Sequence, residues 1–428
     1  MTKNYYIIGG GPLGMSLALN ASLKNKKVYI IESGSELGGL AAPFKFSGDL
    51  IDKYYHFYYK SDEYFSKDFF QLAKVPFKIF WKNIKTASYI EKKFYNFDRL
   101  ISVLKISKFD ILKVLYSLIQ IKLFKPNNDL DKVSAYLWCK KKFGRNLTNF
   151  VWKPLLTSKF GHDWKKISAL WLYTRIKIHL GTKDFFTGKS KFAYLTTTYS
   201  PLINKLCKII KRRKSIIYLK TNVNSFQIKK NYITKILTNR KNFIIKNDEK
   251  VISTISLSSL KNIKPLSNKL DYLKYFNSVG AAVLVLKLSK KLSDYYWTTV
   301  ADQSVNFDVI IQQNRLYQNS KYEIIYISKY YSAKSKFSKF TNENIYQIFL
   351  SGLLKMYPNF KKSQILSKKI FRTNVAAPVP IINSLKLLPN FKTNIGNFFH
   401  VGFEHTYPHD RGVSNSINLG KKIFNYLD

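Results

Sequence analysis

The chain has 428 residues, of which 46% are hydrophobic and 16% aromatic, so it can bury the cores of two or three domains and is excluded from the disordered class. Its two cysteines exclude both a disulfide-stapled scaffold and a cysteine zinc site. The net charge of +47 would suit nucleic acid, anionic lipid or an acidic substrate. However, 63 of the 72 basic residues are lysine, which indicates A/T-rich coding bias more than phosphate recognition, where arginine is preferred.

The first predicted elements are a strand, a glycine-rich turn and a helix. The apolar run at residues 4–8 predicts a buried strand that leads directly into the sequence GGGPLG. The spacing G-x-G-x-x-G, followed by a predicted helix over residues 13–23, is typical of a dinucleotide-binding loop whose helix N-terminus faces a pyrophosphate. The residues expected to contact the cofactor here are Gly9, Gly11, Pro12, Leu13 and Gly14.

A second predicted strand, residues 27–31, leads into an acidic residue and a glycine pair. Glu32 follows the strand directly, where a carboxylate can accept hydrogen bonds from a ribose and would repel a 2′-phosphate. The continuation ESGSELGGLA has the pattern E-x5-G-G-x-A and resembles the extended motif of the amine-oxidase-like flavoproteins. The resemblance implies FAD as the cofactor, with contacts from Glu32, Ser33, Gly38, Gly39 and Leu40.

The resemblance extends over about residues 4–420. Residues 46–56 are similar to the strand after this motif in protoporphyrinogen-oxidase-like proteins, and the segment around PLL…KFG, with Arg175 after it, resembles one bacterial branch of that family. It implies an α/β fold with a discontinuous Rossmann-type FAD-binding domain, a mixed-sheet substrate domain and a helical cap. We expect the FAD-binding domain to comprise residues 1–60, 190–265 and 370–428, and the substrate and cap domain residues 61–189 and 266–369.

A long amphipathic helix is predicted over residues 98–125, with an apolar face and lysines opposite. A cap over the substrate site and a helix lying on a membrane surface both explain this pattern. Asp98, Asp110 and the even spread of lysines suit a solvated face and favour the cap. Peripheral membrane contact remains the alternative.

The middle of the chain predicts β structure. Strands are expected at 216–221 and 223–227, and a β meander continues through 231–237, 241–245 and 250–254. Strands at 279–287 and 324–331 are expected to belong to a second sheet that floors the substrate cavity. The family resemblance implies that the backbone of Val223 lies beside the adenine.

Near the C-terminus, a strand predicted at 398–401 is followed by VGFEHTYPHDRG, which resembles the closing flavin motif of the same branch. A helix is then predicted to begin at residues 412–415 and end near Tyr426. In the family, this helix N-terminus points at the flavin, where its partial positive charge stabilises the reduced anion. The resemblance implies cofactor contacts from Gly402, Glu404, Arg411, Gly412, Val413 and Ser414, although Phe403 intervenes where many flavoproteins place an acid directly after the glycine.

The candidate catalytic side chains are His56 and Tyr407. His56 lies in a tyrosine-rich run after the FAD motif and can act as an acid, a base or a ligand for an anion, whereas a structural histidine is an equal alternative. Tyr407 lies in the closing flavin motif. The six histidines show no metal-ligand spacing, so no metal is expected.

The motifs predict an FAD-dependent oxidoreductase that transfers a hydride from an organic substrate to flavin N5. The alternative is a flavin-dependent mutase acting on a nucleotide sugar, similar to UDP-galactopyranose mutase. A nucleic-acid-binding protein would not explain glycines at these spacings, so the expected partner is a small molecule and not a nucleic acid. The lysine excess is compatible with an anionic substrate. With no signal peptide or spanning segment in the sequence, we expect a cytoplasmic protein, with peripheral contact at the inner membrane face as the alternative. The sequence leaves the oligomeric state open.

Overall fold

A five-stranded parallel sheet joins the two ends of the chain. The computed structural model describes residues 4–96, 111–183, 189–213, 215–318 and 320–428. In spatial order the strands of this sheet are Phe398–His400, Lys250–Ser253, Tyr5–Ile8, Val28–Ile31 and Ile216–Tyr218.

Both faces of the parallel sheet are covered, which explains its continuous apolar runs. Tyr5 and Ile7 face a core built with the helices Pro12–Leu23, Ser200–Arg212 and Val413–Leu427. Tyr6 and Ile8 face a second core built with a three-stranded antiparallel sheet, which comprises Val223–Lys229, Tyr232–Thr238 and Phe243–Ile244. The predicted Rossmann-type α/β arrangement is confirmed.

One sequence-based assignment is wrong. The strand Lys250–Ser253 does not continue the meander but is an inner strand of the parallel sheet, between Tyr5–Ile8 and Phe398–His400. Val251, Ile252 and Ser253 are all buried, because both faces of a central parallel strand are covered. A short apolar strand has the same local pattern in either setting, so its neighbours could not be predicted from the pattern.

A seven-stranded mixed sheet forms the second layer. Its long strands Ser278–Leu288 and Glu323–Ser332 pair antiparallel, in agreement with the expected second sheet. In spatial order the strands are Ile365–Pro378, Ser278–Leu288, Glu323–Ser332, Val309–Gln312, Trp297–Val300, Thr86–Ile90 and Lys93–Tyr95. The described residues also form two two-stranded antiparallel sheets: the hairpin of Pro43–Phe46 with Asp49–Asp52, and the pairing of Ile79–Ile84 with the distant strand Ser190–Leu195.

A group of helices lies over the mixed sheet and shares one apolar core with it. These helices are Ile111–Leu123, Ala135–Phe143, Arg145–Leu147, Lys153–Phe160 and Ala169–Thr182, with a π-helical turn at Thr148–Trp152. Of the predicted helix at 98–125, residues 98–110 lie outside the described residues, and the remainder is helical as far as Leu123. No helix within the described ranges is both long enough and apolar enough to cross a bilayer.

The boundaries between the two predicted domains stay a prediction. The helix Glu63–Leu72 buries Phe69 and Phe70 in the core under the parallel sheet. The strand Ile365–Pro378 is part of the mixed sheet on both sides of residue 370.

The remaining α-helices of the described residues are Leu257–Leu260, Leu266–Lys269, Asn342–Met356 and Ser384–Leu387.

Candidate active site

The first glycine loop shapes an open cradle at the N-terminus of the helix Pro12–Leu23. Gly9 has a left-handed φ of +105°, and a Cβ at Gly14 would lie 2.1 Å from the Gly9 carbonyl oxygen. A Cβ at Gly11 would meet no protein atom within 4 Å, so the space beside this glycine is free for a ligand. No side chain caps the helix, and its first amides therefore remain available to an anion.

Glu32 holds the loop from the adjacent strand. Its Oε2 accepts a hydrogen bond of 2.6 Å from the Gly10 amide, and its Oε1 accepts one of 2.6 Å from the Gly34 amide. With the exposed Ser33, Glu32 lines a polar cavity of about 580 Å³, and Val223 contributes the opposite wall. A carboxylate at the rim of such a cavity suits a ribose and its adenine.

The glycine pair brings a second loop against the first. Gly38 and Gly39 have φ angles of +109° and +54°, conformations that side chains rarely adopt. The Gly38 amide donates a hydrogen bond of 2.8 Å to the Gly10 carbonyl, and a Cβ at Gly39 would lie 3.3 Å from the Gly11 Cα. The two loops therefore bound one groove, which continues past Leu40.

The closing motif supplies a buried carboxyl group next to the segment 255–257. Glu404 Oε1 accepts a hydrogen bond of 2.9 Å from the Leu257 amide, whereas Oε2 has no protein partner within the described ranges. A Cβ at Gly402 would lie 2.4 Å from that Oε2, so the glycine leaves room for the carboxyl group. Burial raises the pKa of Glu404 to about 7. An unpartnered acceptor here fits a hydroxyl-bearing ligand such as the ribityl chain of FAD.

The last helix begins at the far end of the groove. Gly412 precedes the helix Val413–Leu427, which has no side-chain cap. Arg411 donates from Nε to the Ala376 carbonyl, and Arg411 and Gly412 both line an inner cavity of about 180 Å³. The Ser414 hydroxyl is 2.7 Å from that of Ser66, so it already makes one hydrogen bond within the protein.

His56 lies in the wall of the inner cavity. Its Nε2 is 3.1 Å from the Leu40 carbonyl oxygen. Because a carbonyl can only accept, Nε2 carries the proton and Nδ1 is left as an acceptor. Burial lowers the pKa of His56 to about 4, so the ring is neutral at pH 7.

Tyr407 does not line this cavity. Its hydroxyl donates a hydrogen bond to Asp131 and lies 2.7 Å from the Ser168 hydroxyl, which joins the closing motif to the helical cap. Burial raises the pKa of Tyr407 above its ordinary value, with the Asp131 hydrogen bond acting in the same direction. The structure thus places the two candidate catalytic side chains apart, and only His56 faces the inner cavity.

A charged cluster missed by the sequence analysis separates the inner cavity from an outer one. Asp410 accepts a hydrogen bond from the Arg175 guanidinium and lies 3.5 Å from the Lys159 ammonium. Burial lowers the pKa of Lys159 to about 7, although Asp410 opposes this shift. Burial alone would raise the pKa of Asp410, but Lys159, Arg175 and Arg411 hold it below its ordinary range. The available signal was Arg175, which directly follows the mostly apolar run ALWLYT, whereas Lys159 lies in the mixed segment KPLLTSKF and offered none.

The outer cavity is largely apolar and adjoins the inner one. It has two lobes of about 310 and 320 Å³, and the first lobe shares Tyr55, Arg175, Trp297 and Tyr330 with the inner cavity. Lys159 lies against the Trp171 ring, 4.8 Å from its centroid, in the wall of the first lobe. Most other lining residues of the two lobes are aliphatic or aromatic: Val114, Leu118, Phe143, Leu147, Val151, Trp152, Leu155, Leu156, Ile176, Leu180 and Phe192.

Comparisons with known proteins agree with this geometry. The sequence profile of the family described as "Flavin containing amine oxidoreductase" matches residues 14–410. No curated protein sequence matches the chain significantly.

Solved structures extend the likeness to the whole chain. A proposed protoporphyrinogen oxidase from Exiguobacterium sp. 255-15 has a TM-score of 0.79 at 14% identity, with 100% of this chain and 99% of that chain covered. Cyclohexylamine oxidase from Brevibacterium oxydans IH-35A has a TM-score of 0.71 at 11% identity, with 100% of this chain and 99% of that chain covered. Reduced UDP-galactopyranose mutase has a TM-score of 0.72 at 14% identity, with 100% of this chain and 94% of that chain covered. At these identities the structures establish the fold.

The family match and the cradle agree on the cofactor. The open space at Gly11, the polar cavity lined by Glu32 and the unpartnered Glu404 Oε2 fit FAD. The family match confirms the resemblance predicted from the glycine motifs. FAD is accordingly the cofactor, and the protein is an FAD-dependent oxidoreductase. The chain belongs to the flavin-containing amine oxidoreductase family.

Proposed function

We propose that the protein removes a hydride from a largely apolar organic substrate, at a C–C or C–N bond, with FAD lying along the two glycine loops. When bound, the isoalloxazine ring of FAD supplies the hydride acceptor, N5. The observation that carries this proposal is that the two cavities are adjacent and share part of their lining. Tyr55, Arg175, Trp297 and Tyr330 line both the inner cavity at the last helix and the apolar outer cavity.

The lining of the outer cavity supports an apolar substrate. Aliphatic and aromatic walls cannot replace the hydrogen bonds that a sugar or a nucleotide makes with water. The mutase alternative would need cations for a diphosphate. Lys159, Arg175 and Lys183 line the first lobe, and two of them, Lys159 and Arg175, are already paired with Asp410. The hydride-transfer reaction is therefore the better supported of the two.

We propose that Lys159 and Arg175 orient the substrate at the junction of the cavities. Their donors lie where the apolar lining ends, so they can bind a carboxylate or carbonyl oxygen while the rest of the substrate remains in the outer cavity. An anionic substrate, which is compatible with the lysine excess, would be held in this way. A protonated amine would meet the Arg175 guanidinium here, and also the Lys159 ammonium below its pKa of about 7, and is disfavoured.

We propose that His56 is a hydrogen-bonding partner in the inner cavity and not a proton donor. The imidazole is neutral at pH 7, and its Nε2 is engaged by Leu40. Nδ1 can accept a hydrogen bond from the substrate or the cofactor. Tyr407 has no part in this scheme because Asp131 and Ser168 engage its hydroxyl.

Anaerobic titration of the FAD-loaded protein tests the proposed reaction. Amines, porphyrinogens, polyenes and nucleotide sugars are added in turn, and flavin reduction is followed near 450 nm. We expect bleaching by an apolar compound that carries a carboxylate or carbonyl oxygen. Turnover of a nucleotide sugar only after chemical reduction of the flavin, with no electron acceptor consumed, would instead establish the mutase.

The cytoplasmic location stays a prediction.

A further inference from the structure

The helix Ile111–Leu123 exposes an apolar stripe to solvent. Leu112, Tyr116, Ile119 and Leu123 retain 78%, 63%, 55% and 69% of their accessible surface, and Phe124 after the helix retains 62%. The spacing of four, three and four residues places the four side chains on one face of the helix. This set, with Phe124, is called the outer stripe below.

The opposite face of the same helix is buried and rigidly held. Val114 and Ile121 belong to the core of the helical cap, and Val114 lines the second lobe of the outer cavity. At the helix C-terminus, the Tyr173 hydroxyl donates to the Phe124 carbonyl at 3.0 Å, and the Lys177 ammonium donates to the same carbonyl at 2.7 Å. The outer stripe is therefore presented by a fixed helix that is apolar on both sides.

The charged residues of the described helix, and of the three residues directly after it, are all of one sign. Lys113, Lys122 and Lys125 are exposed, and residues 111–126 contain no aspartate or glutamate. A second copy of this chain would bring the same positive charge to the contact, at +47 for each copy. An anionic lipid surface offers both the apolar phase that the stripe would enter and the negative charge that the lysines would meet.

We propose that the outer stripe docks the protein onto an anionic lipid surface. The four apolar side chains enter the boundary between headgroups and acyl chains, and the lysines bind the headgroups. Because the inner face of the helix lines the outer cavity, an apolar molecule can pass from the lipid to the cavity beside a single helix. Docking itself depends on the stripe alone and not on the reaction proposed above.

Vesicle binding by the purified full-length, FAD-loaded protein tests the proposal. Sedimentation is measured with vesicles of phosphatidylcholine containing phosphatidylglycerol and with vesicles of phosphatidylcholine alone. The variant is Leu112→Gln/Leu123→Gln, since glutamine keeps the helix propensity. The matched control is Ile244→Gln, because Ile244 is 72% exposed but lies in the three-stranded sheet. Retained absorbance at 450 nm shows that each variant is folded and holds FAD.

We expect binding to the anionic vesicles that weakens in high salt and falls by about tenfold or more in the double variant, but not in Ile244→Gln. Equal binding to neutral vesicles, or an equal loss in the control, would overturn the proposal. A dimer that the double variant dissociates, without vesicle binding by the wild type, would also overturn it and assign the stripe to a second copy. Flavin reduction by soluble substrates is scored separately, so failure of docking and failure of the proposed reaction are distinguishable.

Discussion

Lys159 and Asp410 connect the two cavities of this protein. The Lys159 ammonium, in the wall of the apolar outer cavity, lies 3.5 Å from Asp410 Oδ2. Asp410 lies two residues before Gly412, which starts the helix that faces the inner cavity. A change in either residue therefore affects both the substrate end and the cofactor end of the site.

Replacing Asp410 by asparagine should destabilise the protein. The substitution leaves Lys159, Arg175 and Arg411 close together without the carboxylate that neutralises them. We expect a loss of about 3 kcal/mol in the free energy of unfolding, at the low end for a buried pair because the Asp410 side chain is 26% exposed. Urea denaturation of the wild type and the variant measures this loss in the free energy of unfolding.

Asp68→Asn is the matched control, because Asp68 pairs with Lys421 at the surface. We expect a change within about 1 kcal/mol there. The cost of Asp410→Asn should also shrink as the pH falls through the depressed folded pKa of Asp410, since protonation then removes the charge in the wild type as well. Equal costs for the two substitutions at pH 7 would contradict the cluster.

Lys159 should titrate near neutrality. Burial lowers its folded pKa to about 7, so the amine loses its proton as the pH rises through 7, well below the range of exposed lysines. Competitive acetylation with mass spectrometry measures this without a substrate. Lys159 should reach its full intrinsic reactivity by about pH 8. Lys132, whose pKa is raised by a hydrogen bond from its ammonium to Asp129, is the control and should still be rising at pH 10.

The Asp410→Asn background sharpens this test. Because Asp410 raises the pKa of Lys159, its removal should shift the labelling curve further toward acid. A curve for Lys159 that coincides with that of Lys132 would be inconsistent with burial of the ammonium.

Two glycine substitutions should separate cofactor binding from folding. In Gly11→Ala, the new Cβ meets no protein atom within 4 Å, so the free energy of unfolding of the apo-protein should fall by only a few tenths of a kcal/mol. FAD affinity should nevertheless fall, because the Cβ occupies the pyrophosphate cradle. In Gly14→Ala, the Cβ would lie 2.1 Å from the Gly9 carbonyl oxygen, so both stability and FAD binding should be lost. Absorbance at 450 nm and thermal unfolding of the apo-proteins report the two effects. Full FAD content in Gly11→Ala would contradict the placement of the cofactor.

Tyr407→Phe should affect stability and not the reaction. Loss of the hydrogen bonds to Asp131 and Ser168 should cost about 1.5 kcal/mol in the free energy of unfolding. The same substitution at Tyr136, whose hydroxyl donates to Asn149 at the surface, should change it by less than about 0.5 kcal/mol. Stopped-flow reduction of the bound flavin should proceed at the wild-type rate in both. A slower reduction in Tyr407→Phe alone would restore Tyr407 as a candidate catalytic residue.

Much of the cofactor end could be predicted because its signals are local. The helix Pro12–Leu23 and the last helix, Val413–Leu427, follow glycine turns and begin within one residue of their predicted starts. The Lys250–Ser253 strand was misplaced, since the local pattern of a buried strand does not identify its partners. Lys159 and Arg175 were visible in the sequence, but their pairing with Asp410 spans more than 230 residues.

By itself, the sequence determined the glycine cradle, the acid that holds it, the family and hence FAD, because each depends on short-range spacing that backbone geometry imposes. Only the tertiary structure decided which distant side chains meet at the two cavities and which helix face stays exposed. It separated His56 from Tyr407, joined Lys159, Arg175 and Asp410, and left one face of the helix Ile111–Leu123 open to solvent. These features depend on how distant segments meet, since burial and charge pairing are set by the neighbours that folding brings together.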